Sequence, residues 1–246
     1  MNDMLEKIAA VWTLATGRPL QFLPEPEEVP DDFPVLFPLI GLILGILCAA
    51  VAWLFVWLFG LFAGSVFSGI LIAFLLEIVT GWRGFNGAGL FALRFFPKAG
   101  EAPPDRFTSQ PMFFGALLFA IRSVMIASVV QAGGAYWLIA VLLCGYFARA
   151  ELTAAISPDE NELVHTSRRE RQKGFAAGCV MILLFILVSR RLWGAAGMFL
   201  LVWLTSWYLV RRSENGTLHF DRRTFDTAAY LLETALLVLT VIFVHR

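Results

Sequence analysis

Asp226 and Glu233 open an apolar run that continues to the C-terminus, in the stretch Thr224-Phe225-Asp226-Thr227-Ala228-Ala229-Tyr230-Leu231-Leu232-Glu233. Their spacing is almost two helical turns, so on a helix both carboxylates share one face, about 10 Å apart. Glu233 then falls about two turns inside a run of Leu, Val, Ile, Ala and Phe, where an unpaired acid costs on the order of a few kcal/mol. Such an acid calls for a cation. Arg122 is one, midway along Phe114-Gly115-Ala116-Leu117-Leu118-Phe119-Ala120-Ile121-Arg122-Ser123-Val124. Glu77, about one turn inside another apolar run, is a further costly charge. We expect Arg122 to pair with Glu77 or Glu233. Acids and guanidiniums held together in this way can orient a substrate, absorb charge developing on a phosphoryl group, or accept a hydroxyl proton. The plainer reading of each is a structural or snorkelling ion pair.

Two other stretches bear on the same chemistry. Thr80-Gly81-Trp82-Arg83-Gly84-Phe85-Asn86-Gly87-Ala88-Gly89 is dense in glycine. Glycines let backbone N–H groups approach a phosphate, and they also stop helices. Arg149 ends an apolar run and Glu151 follows it; a cation there also suits the carbonyl end of a helix. Arg168, Arg169, Arg171 and Lys173 read as a loop anchor on anionic headgroups. Cys48, Cys144 and Cys179 all lie in apolar runs and make no C-x-x-C pair, so they read as small buried hydrophobes. His165, His219 and His245 are scattered through polar stretches and support neither a histidine metal site nor a catalytic triad.

The elements that must position these residues are membrane helices. The chain is 59% hydrophobic with a mean hydropathy of +0.73. Only 15% of its residues are charged, against roughly 25% in a soluble domain. Runs of about 20 apolar residues cross a bilayer as helices. They fall at 35–60, 63–80, 111–131, 134–150, 174–189, 192–210 and 226–244. The first is long enough to tilt, or to break near Phe37-Pro38. The expected fold is therefore all-α: a polytopic integral membrane helix bundle of about seven transmembrane helices, with a short N-terminal interfacial helix over 4–16. Residues 1–34 form an N-terminal cytoplasmic or interfacial segment, with 19–34 an extended Pro- and acid-rich connector. Residues 35–246 form one transmembrane domain with cytoplasmic loops 81–110, 150–173 and 211–225. Fifteen of the 19 Lys and Arg residues fall on the side of the N-terminus. Only Arg190, Arg191 and Arg246 fall on the other, so the N-terminus is expected in the cytoplasm and the C-terminus opposite. Any site should then face the cytoplasm. Asp3 and Glu6 stand where a signal peptide would be basic, so none is expected. The lipid bilayer is the expected partner, and nucleic acid is not.

Several of these stretches align in order with one family. Phe37-Pro38-Leu39-Ile40-Gly41-Leu42-Ile43-Leu44-Gly45 is similar to the F-P-L-I-G-x-x-x-G of cobalamin synthase (adenosylcobinamide-GDP ribazoletransferase). Leu14-Ala15-Thr16-Gly17-Arg18-Pro19 loosely resembles that family's F-x-T-R-x-P. Thr224-Phe225-Asp226 with Glu233 resembles its closing T-G-D-x-x-G-A-x-x-E. Ala148-Arg149 falls where the family has Ser-Arg, and Arg122 where many members carry Lys. The family's G-G-x-H-x-D-G-x-x-D-x-x-D-G departs most. Here Gly84 stands at its His, Asn86 at its first Asp, followed by Gly87, and Leu90 and Leu93 at its other two.

The resemblance implies an inner-membrane, magnesium-dependent transferase that completes the nucleotide loop of vitamin B12. The cobinamide phosphoryl group passes from adenosylcobinamide-GDP to alpha-ribazole or its 5′-phosphate, and GMP leaves. It implies Asp226, Arg149, Arg122 and Glu233 as catalytic residues. Gly81, Arg83, Asn86, Gly87 and Glu77 would line the substrate and phosphate site, and Asp226 and Asn86 would face the Mg2+. Asp105 and Glu151 are candidates to replace a lost carboxylate. Corrinoid and nucleotide substrates are the implied ligands, with a homo-oligomer or other membrane-bound cobalamin-pathway proteins as partners. The missing loop aspartates favour an alternative, a non-catalytic relative that binds corrinoid or nucleotide or supports a membrane complex. A small transporter using Arg122 and Glu233 is the second alternative.

Overall fold

In apolar surroundings a helix satisfies every backbone N–H and C=O within one segment, and the uncharged runs of this chain fold accordingly. The computed structural model describes residues 2–16, 33–82, 85–87, 109–153, 168–189, 192–214 and 222–245. Its elements are α1 (Asn2–Thr16), α2 (Phe33–Val79), α3 (Ser109–Gln131), α4 (Trp137–Thr153), α5 (Arg168–Ser189), α6 (Leu192–Glu214) and α7 (Arg222–Val244). Among the described residues there is no strand.

α2 contains two expected spans. Its backbone is non-helical at Gly60, where φ is 76° and ψ is 170°. A Cβ on Gly64 would meet the backbone of Phe55 and Val56 at 2.5 Å. Residues nine apart on an unbroken helix stand roughly 13–14 Å apart, so α2 folds back on itself. The rings of Phe59 and Phe67 meet across the reversal at 5.5 Å. The two arms are 33–59 and 61–79, and the reversal sits at Gly60. There is no break at Pro38, through which the helix continues. Pro38 lies in the opening turns, where its missing N–H removes a single bond, to the carbonyl of Pro34.

Small residues allow the remaining helices to come close. Gly41 of the first arm lies against Leu142 and Tyr146 of α4, and Gly45 against Ile139, so this pair is antiparallel. Gly69 of the second arm lies against Ser123 and Ala127 of α3. At one end of the bundle Gly174 of α5 meets Pro34. At the other, Gly134 meets Val244, and Gly194 meets Trp137 and Phe243.

α4 is the centre. Every residue from Ala140 to Ala150 is buried, and α2, α5, α6 and α7 all pack on it. A helix apolar on all sides belongs in such a position. α1 docks on α2, and its Val11 joins the core that contains Phe33 and Phe37. The exterior is apolar too, with Trp53, Trp57, Phe62 and Leu187 all strongly exposed. Among the described residues three helices contain stretches long and apolar enough to cross a membrane, Phe33–Val79, Met112–Gln131 and Thr227–Val244, and Gln172–Leu187 and Ala196–Leu209 are shorter apolar stretches.

Candidate functional site

Four charges converge in the interior. Glu77 comes from the second arm of α2, Arg122 from α3, Arg149 from α4 and Glu233 from α7, and none is more than 3% exposed. Arg122 Nη1 donates to Glu77 Oε1 at 3.3 Å, and its Nη2 donates to Glu233 Oε2 at 3.1 Å. Arg149 Nε donates to Glu233 Oε1 at 2.8 Å. The result is a continuous chain, Glu77–Arg122–Glu233–Arg149, with no net charge. Arg122 thus pairs with both of its expected partners. Glu233 is the hub, since each of its oxygens meets a different guanidinium.

Local structure explains why each residue needs the others. Glu77 sits in the last turn of α2, where the carbonyl end of a helix disfavours an acid; Arg122 offsets that. Arg149 sits near the end of α4, where a cation is favoured. Glu233 fits because residue 145 is glycine. A Cβ there would lie 2.7 Å from Glu233 Cγ.

Two tyrosines complete the cluster. The guanidinium of Arg122 lies over the Tyr230 ring, 4.4 Å from its centroid, and that of Arg149 lies 5.2 Å from the Tyr146 centroid. Cation–π contacts of this kind gain strength when desolvated. The Tyr230 hydroxyl lies beside Glu77 and Arg122, yet Glu77 Oε2, Arg122 Nε and the hydroxyls of Tyr146 and Tyr230 have no hydrogen-bond partner among the described residues. A cavity of about 10 Å³ adjoins Arg122 and Glu233, walled by Cys48, Ile126 and Leu142 among others, about the room of one water. Tyr146, Tyr230 and Gly145 were not singled out in the sequence. The signal was there, since each tyrosine precedes a cluster charge, Arg149 or Glu233, by three residues, one helical turn.

The glycine-dense stretch begins as a helix cap. Gly81, with φ at 63°, donates its N–H to the carbonyl of Ile78, and Trp82 donates to Glu77. This pair of bonds is the Schellman termination of α2. Trp82 has φ at 61° as well, which is strained for a bulky side chain. It is held between Phe74 and Phe85, at 5.8 and 5.6 Å between ring centroids. Asn86 is exposed and its N–H donates to Trp82; Gly87 is buried.

The structure therefore joins Arg122, Arg149, Glu233 and Glu77, and places Gly81, Asn86 and Gly87 at and beyond the end of α2. Arg83, Leu90, Leu93 and Asp105 lie outside the described residues. Asp226 lies in the first turns of α7, and its side chain is outside what is described. Glu151 follows Arg149 in the last turn of α4 and is half-buried. Among the described residues no three His, Cys, Asp or Glu side chains gather as a metal site would require. The cysteines Cys48, Cys144 and Cys179 are free thiols. No family model, curated protein or solved structure matches the chain.

Proposed function

We propose that this chain is an integral inner-membrane bundle of seven spans and a divergent, non-catalytic relative of the cobalamin synthases, binding a corrinoid or nucleotide or supporting a membrane complex. The two arms of α2 and the helices α3 to α7 supply the seven spans. The charge asymmetry of the connecting segments supports a cytoplasmic N-terminus and a C-terminus on the opposite side. The family reading draws support from Arg149 and Glu233. They hold the positions of its Ser-Arg and closing Glu, far apart in the chain, and they are in direct contact.

One observation carries the non-catalytic reading. Both buried carboxylates are already matched by guanidiniums, so the cluster has no surplus negative charge to offer. A divalent magnesium needs oxygen donors with one or two free carboxylates among them. Asn86 offers one neutral oxygen, and Leu90 and Leu93 offer none. Asp226 is then the single carboxylate of the implied set, short of the family's three loop aspartates, so no catalytic step through the ion is derived. The cluster instead acts as an ionic clasp that ties four helices together.

The second reading is the transferase itself. It is favoured by the same Arg149–Glu233 contact, which would hold a guanidinium toward a phosphoryl group while Asp226 accepts the hydroxyl proton of the ribazole. Expression in a strain lacking cobalamin synthase separates the two. We expect the protein to accumulate in carbonate-washed membranes, to retain adenosylcobinamide-GDP in equilibrium dialysis, and not to restore cobalamin synthesis. Rescue that is lost with Asp226→Ala would establish the transferase. Neither rescue nor retention would remove the family reading.

A further inference from the structure

The reversal of α2 is unlike the other turns of the bundle. Trp57-Leu58-Phe59-Gly60-Leu61-Phe62 contains no charged, amide or hydroxyl side chain, and no charge occurs anywhere from Phe33 to Leu76. The turn after α3, by contrast, begins at Gln131, and Arg190-Arg191 lie between α5 and α6. All six residues from Trp57 to Phe62 are exposed. A Cβ on Gly60 would meet nothing within 4 Å. The tip of the hairpin thus stands clear of the other helices, with Trp57 71% exposed and Trp53 on the same face one turn earlier.

The length of the first arm says where the tip ends. Its base is fixed near the cytoplasmic headgroups, because Pro34 packs on Gly174, directly after the basic run Arg168–Lys173. From Phe33 to Phe59 the arm rises about 39 Å at 1.5 Å per residue. At a common tilt of about 20° it still covers about 37 Å. The hydrocarbon core is about 30 Å thick, and about 40–45 Å with both headgroup layers. The tip therefore passes the acyl chains but stops short of bulk water. Its backbone needs such a place. Gly60 interrupts the hydrogen-bond ladder, which leaves the last carbonyls of one arm and the first N–H groups of the other to find partners. Acyl chains offer none. Hydrated headgroups do, and Trp rings settle at that level.

We propose that Trp53–Phe62 is a lipid-interface anchor, bedded at the headgroup–acyl boundary of the far leaflet, with headgroups and their water satisfying the backbone of the reversal. This rests on the reading of the chain as an integral membrane protein. The test is a spin label at Leu58→Cys and, in a separate protein, at Val66→Cys, with Cys179→Ser in both. The full chain is reconstituted in phosphatidylcholine–phosphatidylglycerol vesicles. Collisions with oxygen, which favours acyl chains, are compared with collisions with a water-soluble nickel chelate. The oxygen-to-nickel ratio should be several-fold higher at 66 than at 58, with residue 58 open to both reagents. Phe62→Cys repeats the measurement should Leu58→Cys fail to accumulate. A label at 58 as open to nickel as one in free solution would place the tip in water and overturn the proposal. Shielding from both reagents would put a protein partner there, and a ratio equal to that at 66 would put the tip among acyl chains; either also overturns it. If alkaline carbonate strips the whole protein from the vesicles, the membrane reading itself fails.

Discussion

The buried cluster and the stretch from Gly81 to Gly87 are the two places where this sequence suggested chemistry, and they are built in opposite ways. The cluster is assembled from afar. Glu77 and Glu233 are brought to one guanidinium from 45 residues before it and 111 residues after it. The stretch after α2 is assembled mostly locally, from hydrogen bonds three to five residues long and a stack of Phe74, Trp82 and Phe85, with the Phe85 ring also lying against Gly115 of α3. Charge in the first is desolvated and must be matched within the protein, whereas Asn86 in the second is exposed to solvent. Substitutions in the first should therefore disturb the whole bundle, and those in the second only a helix end.

The sharpest way to break that contrast is to remove the hub. Glu233→Ala leaves Arg122 with only Glu77 and deprives Arg149 of its 2.8 Å contact. Stranding one partner of a buried ion pair costs about 3–5 kcal/mol, and here two cations lose their shared acid. We expect the largest fall in Tm of the detergent-solubilised protein for this variant. Glu77→Ala should fall less, because Arg122 keeps Glu233. An equal or larger loss for Glu77→Ala would mean that Glu233 is not the hub.

The fit around the hub gives the next effect. Gly145→Ala places a methyl where the Glu233 side chain runs, and overpacking of this kind costs about 1–3 kcal/mol. The test is its dependence on Glu233. In a Glu233→Ala background the clash partner is gone, so the two losses should sum to clearly more than that of the double variant. Strict additivity would show that residue 145 acts on something other than the cluster.

Much of this was legible before the fold. A carboxylate or guanidinium deep in an apolar run has few places to go, so the pairing of Arg122 with Glu77 or Glu233 followed from cost alone; that it takes both did not. The seven apolar runs fall within helical segments, since a helix satisfies the backbone of an apolar run within one segment. Less legible was anything set by neighbours. α4 looks like any other apolar run in sequence, and glycines on the helices beside it, Gly41 and Gly45 of α2 and Gly178 of α5, let it sit at the centre. Tyr146 and Tyr230 look like ordinary aromatics until the cations lie over them. The reversal was expected at 61–62, because Gly60 inside an unbroken apolar run gives no polar marker of a turn.

The smallest effects belong to the helix end, and they decide whether it is only that. Gly81 has φ at 63°, a conformation that costs an L side chain about 1–2 kcal/mol. Gly81→Ala should therefore lower Tm modestly. Asn86 is exposed and held by its backbone, so Asn86→Ala should stay within about 0.5 kcal/mol of the parent and leave retention of adenosylcobinamide-GDP unchanged. If Asn86→Ala leaves Tm untouched but abolishes retention, the side chain touches ligand. The contrast would then turn around. The cluster would be the frame, and the local stretch after α2 would be where binding happens.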